Sequence, residues 1–242
     1  MAGGMQFPTP LQRGVLVKRY KRFLADIRLD DGSTITAHCA NPGSMLGVAV
    51  EGAPVWVSEH RDGKRKLPYS WQLVEIDDVL IPVNTTNANR IVAEALSAGA
   101  ISELSDYKSH RAEVKYGDKS RIDFLLTEGV HPDCFLEVKN VHLSRAPGLA
   151  EFPDSVTTRG AKHLRELTAA LEDGSRSALL FVVQRRDCTR FRPAEDLDPA
   201  YAEALRDAAA AGVEILCYDC DVTTAEVGLR RALPIDIQKD AK

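Results

Sequence analysis

The 242-residue chain has no apolar run approaching the roughly 20 residues that a membrane-spanning helix requires. Its opening Met-Ala-Gly-Gly-Met-Gln-Phe-Pro has neither the basic segment nor the apolar core of a secretory signal. These absences predict a cytoplasmic protein with no membrane partner. Cysteine is scarce and odd in number: Cys39, Cys134, Cys188, Cys217 and Cys220 predict free thiols in place of a disulfide framework. Cys217-Tyr-Asp-Cys220 has C-x-x-C spacing, but no matching second pair exists and the motif ends a strand, so a structural role is expected. No Gly-x-Ser-x-Gly elbow accompanies Ser44, His38 or His163, and no glycine-rich phosphate loop of the Walker or dinucleotide type occurs. Internal repeats and low-complexity tracts are also missing.

What is present is ordinary globular composition, 44% hydrophobic and 27% charged, in a length that suits one or two domains at about 150 residues each. The net charge of -4 conceals an asymmetry, because basic residues outnumber acidic ones over residues 1–90 and the reverse holds afterwards. The early cations cluster as Lys18-Arg19-Tyr20-Lys21-Arg22-Phe23 and Lys64-Arg65-Lys66, close to aromatic rings. Cations that hold phosphates beside rings that stack on bases suit nucleic acid, DNA above all. Arg19, Tyr20, Lys21, Arg22, Lys64, Arg65 and Lys66 are therefore candidate contacts, against the plainer alternative of a solvated strand face and loop.

Short strands separated by turns are predicted over residues 15–20, 23–29, 33–38, 54–59 and 71–76, with turns at Asp30-Asp31-Gly32 and Arg61-Asp62-Gly63-Lys64. Five strands in about 70 residues suit a small barrel, oligonucleotide-binding (OB) or SH3-like. The pattern changes near residue 85, dividing the chain into 1–85 and 86–242. Asn89 is read as the cap of a helix reaching residue 98, with Gly99 as its stop. Strands are predicted at 111–116, 121–127 and 134–141, followed by a long loop to Asp154 and a helix over 158–171. An unbroken apolar strand at 178–183, a helix from Asp198-Pro199 to Gly212 and a strand at 213–218 complete an αβββαβ order with one further unit.

The most informative stretch joins Ser120-Arg-Ile-Asp123-Phe-Leu-Leu to Cys134-Phe-Leu-Glu137-Val-Lys139-Asn140. A hairpin centred near residue 130 places Asp123 opposite Glu137, and strand alternation adds Lys139 to the same face. Two carboxylates brought together repel unless a cation neutralises them, and hard oxygen ligands with room for water suit Mg²⁺ or Mn²⁺. Such a metal polarises a phosphate and activates water, with Lys139 orienting the nucleophile or stabilising the transition-state charge. The competing reading is a Glu-Lys surface pair on a half-exposed hairpin.

Asp123 with Glu137-Val138-Lys139 in this strand order resembles the PD-(D/E)XK nuclease fold. The segments Arg19-Tyr-Lys-Arg-Phe-Leu-Ala-Asp26, His38-Cys-Ala-Asn-Pro-Gly-Ser-Met45, Phe152-Pro-Asp154 and Arg159-Gly-Ala-Lys-His-Leu-Arg-Glu-Leu167 further resemble the sugar fermentation stimulation protein A family. One departure is Cys39-Ala-Asn-Pro-Gly43, where the family pattern is Cys-Pro-Asn-Thr-Gly. The resemblance implies DNA binding and an OB-like domain preceding a nuclease-like one. It also implies a third metal ligand on the first helix, where Glu94 is the first choice ahead of Glu103 and Glu113. On the second helix Lys162 and Arg165 are candidate phosphate contacts, and Gln184, at the end of the apolar strand, is a candidate for the active-site edge beside Asp123, Glu137 and Lys139.

The expectation is thus a two-domain α+β protein, an OB-like barrel followed by a PD-(D/E)XK nuclease-like αβββαβ domain. Its expected role is DNA binding with a Mg²⁺-dependent phosphodiesterase site at Asp123 and Glu137. The rival expectation is a non-catalytic DNA-binding regulator that keeps the nuclease fold as a scaffold.

Overall fold

A computed structural model describes residues 4–60, 63, 65–116 and 120–238. A short strand β1 (Met5–Gln6) precedes six strands, β2 (Gln12–Tyr20), β3 (Leu24–Leu29), β4 (Thr34–His38), β5 (Pro54–Glu59), β6 (Tyr69–Ile76) and β7 (Val79–Pro82). Their order is β4-β3-β2-β5-β6-β7, and a parallel pairing of β4 with β6 at Ala37–Tyr69 and His38–Ser70 closes five of them into a ring. That closure makes the barrel an OB fold. Alternation explains its filling: Ala25, Ile27 and Leu29 on β3 point inward with Leu16, Val55, Val57 and Trp71. Trp71 is fully buried, and truncating such a residue to Ala typically costs about 3–5 kcal/mol.

The rest of the chain runs α1 (Asn87–Ser97), a 3₁₀ turn (Ser102–Leu104), β8 (Ser109–Tyr116), β9 (Ser120–Thr127), β10 (Cys134–Val141), β11 (Leu143–Ala146), β12 (Leu149–Phe152), α2 (Thr158–Glu172), β13 (Arg176–Val183), β14 (Arg190–Pro193), α3 (Pro199–Ala211), β15 (Glu214–Val222) and β16 (Glu226–Ala232). Seven strands form a sheet in the order β1-β16-β15-β13-β10-β9-β8, with β10, β13 and β15 parallel. β13 is buried over nearly its whole length, as its unbroken apolar run requires of a central parallel strand. One face, carrying Leu136, Val138, Leu180 and Val182, packs on α1; the other, carrying Leu179, Phe181 and Val183, packs on α2 and α3. This is a restriction endonuclease-like α/β domain. Trp56 and Leu73 leave the barrel interior and join the α1 cluster, so the barrel's outer wall is part of the second core.

Several elements depart from the expectations. The supposed loop to Asp154 contains β11 and β12, which form a three-stranded sheet with β14. β7 was not foreseen because Asp77 and Asp78, both left-handed at φ 51° and 61°, make a two-residue turn without the Asn-Gly or Asp-Gly signature. β1 pairs with β16, so residues 5–6 lie on the sheet of the second unit and the barrel proper begins at Gln12. Asn89 does not cap α1: the helix starts at Asn87, and Asn89 lies inside its first turn. The expected turn at Arg61-Asp62-Gly63-Lys64 falls mainly outside the described residues. Cys217 and Cys220 are three apart on β15 and therefore join opposite cores, consistent with a structural role. Among the described residues no helix is long and apolar enough to cross a membrane.

Candidate active site

The site forms where β9 loses its pairing. The β9–β10 ladder pairs Leu126–Cys134, Leu125–Phe135 and Phe124–Leu136, a register whose next step is Asp123–Glu137. At that step the backbone N–H of Val138 donates to Asp123 Oδ2 at 2.8 Å, so a side-chain carboxylate takes over from the ladder. On the other flank Ala112–Phe124 and Val114–Ile122 pair around Glu113, which is left-handed at φ 56°. Asp123 Oδ1 accepts from Asn89 Nδ2 at 2.7 Å. Helix α1 thus contributes an amide to the site through Asn89, the residue that local pattern had marked as a cap.

Glu137 and Lys139 project toward α2. Lys139 Nζ donates to Glu137 Oε1 at 2.7 Å, and His163 Nδ1 meets the same oxygen. Arg159 Nε donates to His163 Nε2 at 3.2 Å, so Nε2 accepts and Nδ1 carries the proton given to Glu137. The start of α2, which aims both side chains, is set by Thr157 accepting from the Gly160 N–H and by Asp198, which caps α3 through Tyr201 N–H and also takes the Thr157 N–H at 2.7 Å. Caps of this kind contribute about 1 kcal/mol each. Arg159 was not expected at the site; its i, i+4 spacing to His163 on one helix face was the available signal.

Burial and the charge of Glu137 push the Asp123 carboxyl above its ordinary range. Burial also raises Glu137, which is 3% exposed, but His163 and Lys139 outweigh it and hold the carboxyl below its ordinary value. Both carboxylates line two adjoining recesses. One, of about 260 Å³, also takes in Asn89, Lys139, Arg159 and His163; the other, of about 480 Å³, reaches Glu113, Ser120 and Lys162.

The residues fit a divalent cation. Glu137 Oε2 is buried with no hydrogen-bond partner, beside a second carboxylate. Among the described residues no three His, Cys, Asp or Glu side chains make a ready cage, so two carboxylates suit a hard ion that keeps most of its waters.

Other candidates fall elsewhere. Glu94 is exposed on α1 and lines neither recess; Asn89 holds the inward place on that helix. Gln184 is buried and donates to Asn140 Oδ1, one residue removed from the recess it was expected to edge. Lys162 lines the larger recess and donates to Ser120 Oγ at 3.2 Å, whereas Arg165 lies in the groove between α2 and α3. On the barrel, Arg19 is committed to the loop after β4, donating to the carbonyls of Asn41 and Gly43 at 3.0 Å and of Ser44 at 3.3 Å. Its guanidinium thus clamps that loop. Tyr20 Oη donates to Asp26, with Lys18 over its ring. Lys21 and Arg22 are exposed and left-handed at the β2–β3 turn, next to exposed Phe23 stacked on His38. Arg65 and Lys66 are exposed, Arg65 beside His60, and Lys64 lies outside the described residues.

Comparison with known proteins agrees with this architecture. Residues 17–83 match the family described as SfsA N-terminal OB domain, and residues 86–226 match the sugar fermentation stimulation protein RE domain. A sugar fermentation stimulation protein homolog of Maricaulis maris is 54% identical over 97% of this chain and 100% of its own length. One from Jannaschia sp. is 53% identical over 98% and 100%. The solved structure of Pyrococcus furiosus SfsA in complex with Ca²⁺ has the same fold, with a TM-score of 0.87 at 24% identity, covering 97% of this chain and 100% of that one.

Proposed function

The chain belongs to the sugar fermentation stimulation protein family, and on that premise we propose that it binds DNA and hydrolyses phosphodiester bonds with Mg²⁺ or Mn²⁺. The observation that carries this reading is the buried, unpartnered Oε2 of Glu137 beside Asp123, in a recess that also holds an ammonium. Asp123 and Glu137 would hold the ion, which supplies charge for the phosphate and a water of lowered pKa. The Ca²⁺ complex of the Pyrococcus furiosus protein supports a hard divalent ion in this family.

The chain's own groups have separable tasks. Asn89 and the Val138 N–H orient the Asp123 carboxylate, each fixing one oxygen. His163 and Lys139 occupy Glu137 Oε1, leaving Oε2 for the ion. Lys139, with a side chain 12% exposed, holds positive charge at the recess where a phosphate gains charge in the transition state. Lys162 and Arg159 extend that charge along the wall.

The test is a nuclease assay of the purified protein on single-stranded, duplex and branched DNA with Mg²⁺ or Mn²⁺, beside Asp123→Ala and Glu137→Ala. Cleavage lost in both variants is expected. Equal cleavage by all three proteins assigns it to another site, and none on any substrate leaves a DNA-binding scaffold.

A further inference from the structure

Next to the catalytic recess lies a cleft of about 300 Å³ between the two domains. The barrel supplies Asn41, Pro42 and Gly43; the second domain supplies His142 and the run from Glu151 to Thr157. The cleft and the recess share Thr85, Asn140, Phe152 and Thr157, so a strand with a phosphate in one has its neighbouring nucleoside at the other. The barrel wall is firmly placed. Asp154 Oδ2 accepts the Met45 N–H at 2.9 Å, Ser44 Oγ donates to the Asp154 carbonyl at 2.8 Å, and Arg19 clamps the loop from behind. A Cβ on Gly43 would stand 2.7 Å from Asp154, so this approach requires glycine.

The lining chemistry excludes a phosphate and suits a base. No Lys or Arg lines the cleft, while Asp154 and Glu151 do. Pro42, Phe152 and Pro153 offer apolar walls. A relay sets the hydrogen-bonding groups: Gln184 Nε2 donates to Asn140 Oδ1, so Asn140 Nδ2 faces His142 Nδ1 at 3.2 Å. Nδ1 therefore accepts and Nε2 carries the proton. His142 is 5% exposed, and Nε2 has no hydrogen-bond partner; Asp154 Oδ2 stands 3.6 Å away. The His142 N–H thus faces the Asp154 carboxylate at a separation too long for a full hydrogen bond, and this donor beside an acceptor matches the adjacent acceptor and N–H on a Watson–Crick edge. The volume is at the small end of ligand pockets and of the order of one nucleoside.

We propose that this interdomain cleft is a nucleobase pocket that takes one unpaired base beside the phosphate that meets the cation site of Asp123 and Glu137, making single-stranded or locally unpaired nucleic acid the substrate. This rests on the phosphodiesterase reading for its substrate but is tested by binding alone.

The probe is a single-stranded oligonucleotide carrying 2-aminopurine, moved one position at a time and bound in Ca²⁺, the ion of the Pyrococcus furiosus complex, with the strand checked on a gel to be uncut so that cleavage plays no part. One or two adjacent positions should brighten at least threefold on binding, because a base in the cleft leaves its stacked neighbours. An abasic site there should weaken binding at least tenfold, and a duplex of the same sequence should show neither effect. His142→Phe keeps an aromatic ring and removes both ring nitrogens; it should abolish the position-specific signal and bring the affinity for the intact strand down to that for the abasic strand. If that variant does not fold, the abasic comparison on wild type decides. Uniform fluorescence at every position, equal affinity for the abasic strand, or no strand binding overturns the pocket. A position-specific signal without cleavage in Mg²⁺ or Mn²⁺ overturns hydrolysis and leaves the pocket standing.

Discussion

Asn89 Nδ2 donates to Asp123 Oδ1 at 2.7 Å across 34 residues of sequence, so the first helix and the second strand of the nuclease-like domain meet at one carboxylate oxygen. Asn89→Ala removes this bond and leaves Asp123 oriented by the Val138 N–H alone. Stability should fall by about 1 kcal/mol, the usual worth of such a bond. Calorimetric Mg²⁺ affinity should fall several-fold without vanishing, since both carboxylates remain. Wild-type affinity in this variant would refute the orienting role.

Asp123→Asn should abolish any rise of melting temperature with Mg²⁺, because metal stabilises by binding the folded state. The metal-free variant should be at least as stable as wild type. The folded-state pKa of Asp123 lies above its ordinary 3.8, so its contribution falls as pH rises through that value and toward the folded pKa. The amide removes that loss and still accepts the Val138 N–H. Lys139→Met should act differently, retaining or strengthening metal binding while slowing cleavage at least tenfold. Melting curves with and without Mg²⁺, and titrations of all three proteins, check both outcomes.

Charge on the barrel separates into two kinds. Lys21→Ala with Arg22→Ala should flatten the slope of log affinity against log salt by roughly 0.7 to 0.9 for each phosphate that is no longer neutralised. Arg19→Ala should instead lower the melting temperature and loosen the loop at Asn41–Ser44, whose carbonyls it binds, with a smaller change in slope. Equal slope changes at the two sites would mean that Arg19 is a phosphate contact after all.

Acid should weaken the domain junction. Burial raises the Asp154 carboxyl, but His142, the Met45 N–H and Ser44 outweigh it and hold it at about 2 against an ordinary 3.8. Its stabilisation is complete above pH 3.8 and is lost as pH falls through about 2. The loss should be on the order of 1–2 kcal/mol, from about 1.4 kcal/mol per pKa unit discounted for partial solvent screening. Asp154→Asn should remove most of that limb in an acid titration of stability; an unchanged limb would place the acid sensitivity elsewhere.

Features that depend on near neighbours were legible in the order of the amino acids. Alternation and turn residues located the five ring strands, and symmetry about residue 130 set the register that puts Asp123 and Glu137 at one level. The capping Asp198 and the left-handed Gly212 bounded α3 as expected, since those signals act within one helical turn. Which side chains are spent and which are free was settled by packing between distant segments. Arg19 and Lys21 share one basic cluster, yet one clamps carbonyls and the other faces solvent, because the loop at Asn41–Ser44 folds back onto Arg19 alone. Glu94 and Asn89 ride on one helix, and the direction in which α1 packs chose the amide. Pairing of β1 with β16 and closure of the cleft at Asp154 join residues more than a hundred positions apart. Such contacts are set by how two cores bury their apolar faces together, and no local pattern carries that information.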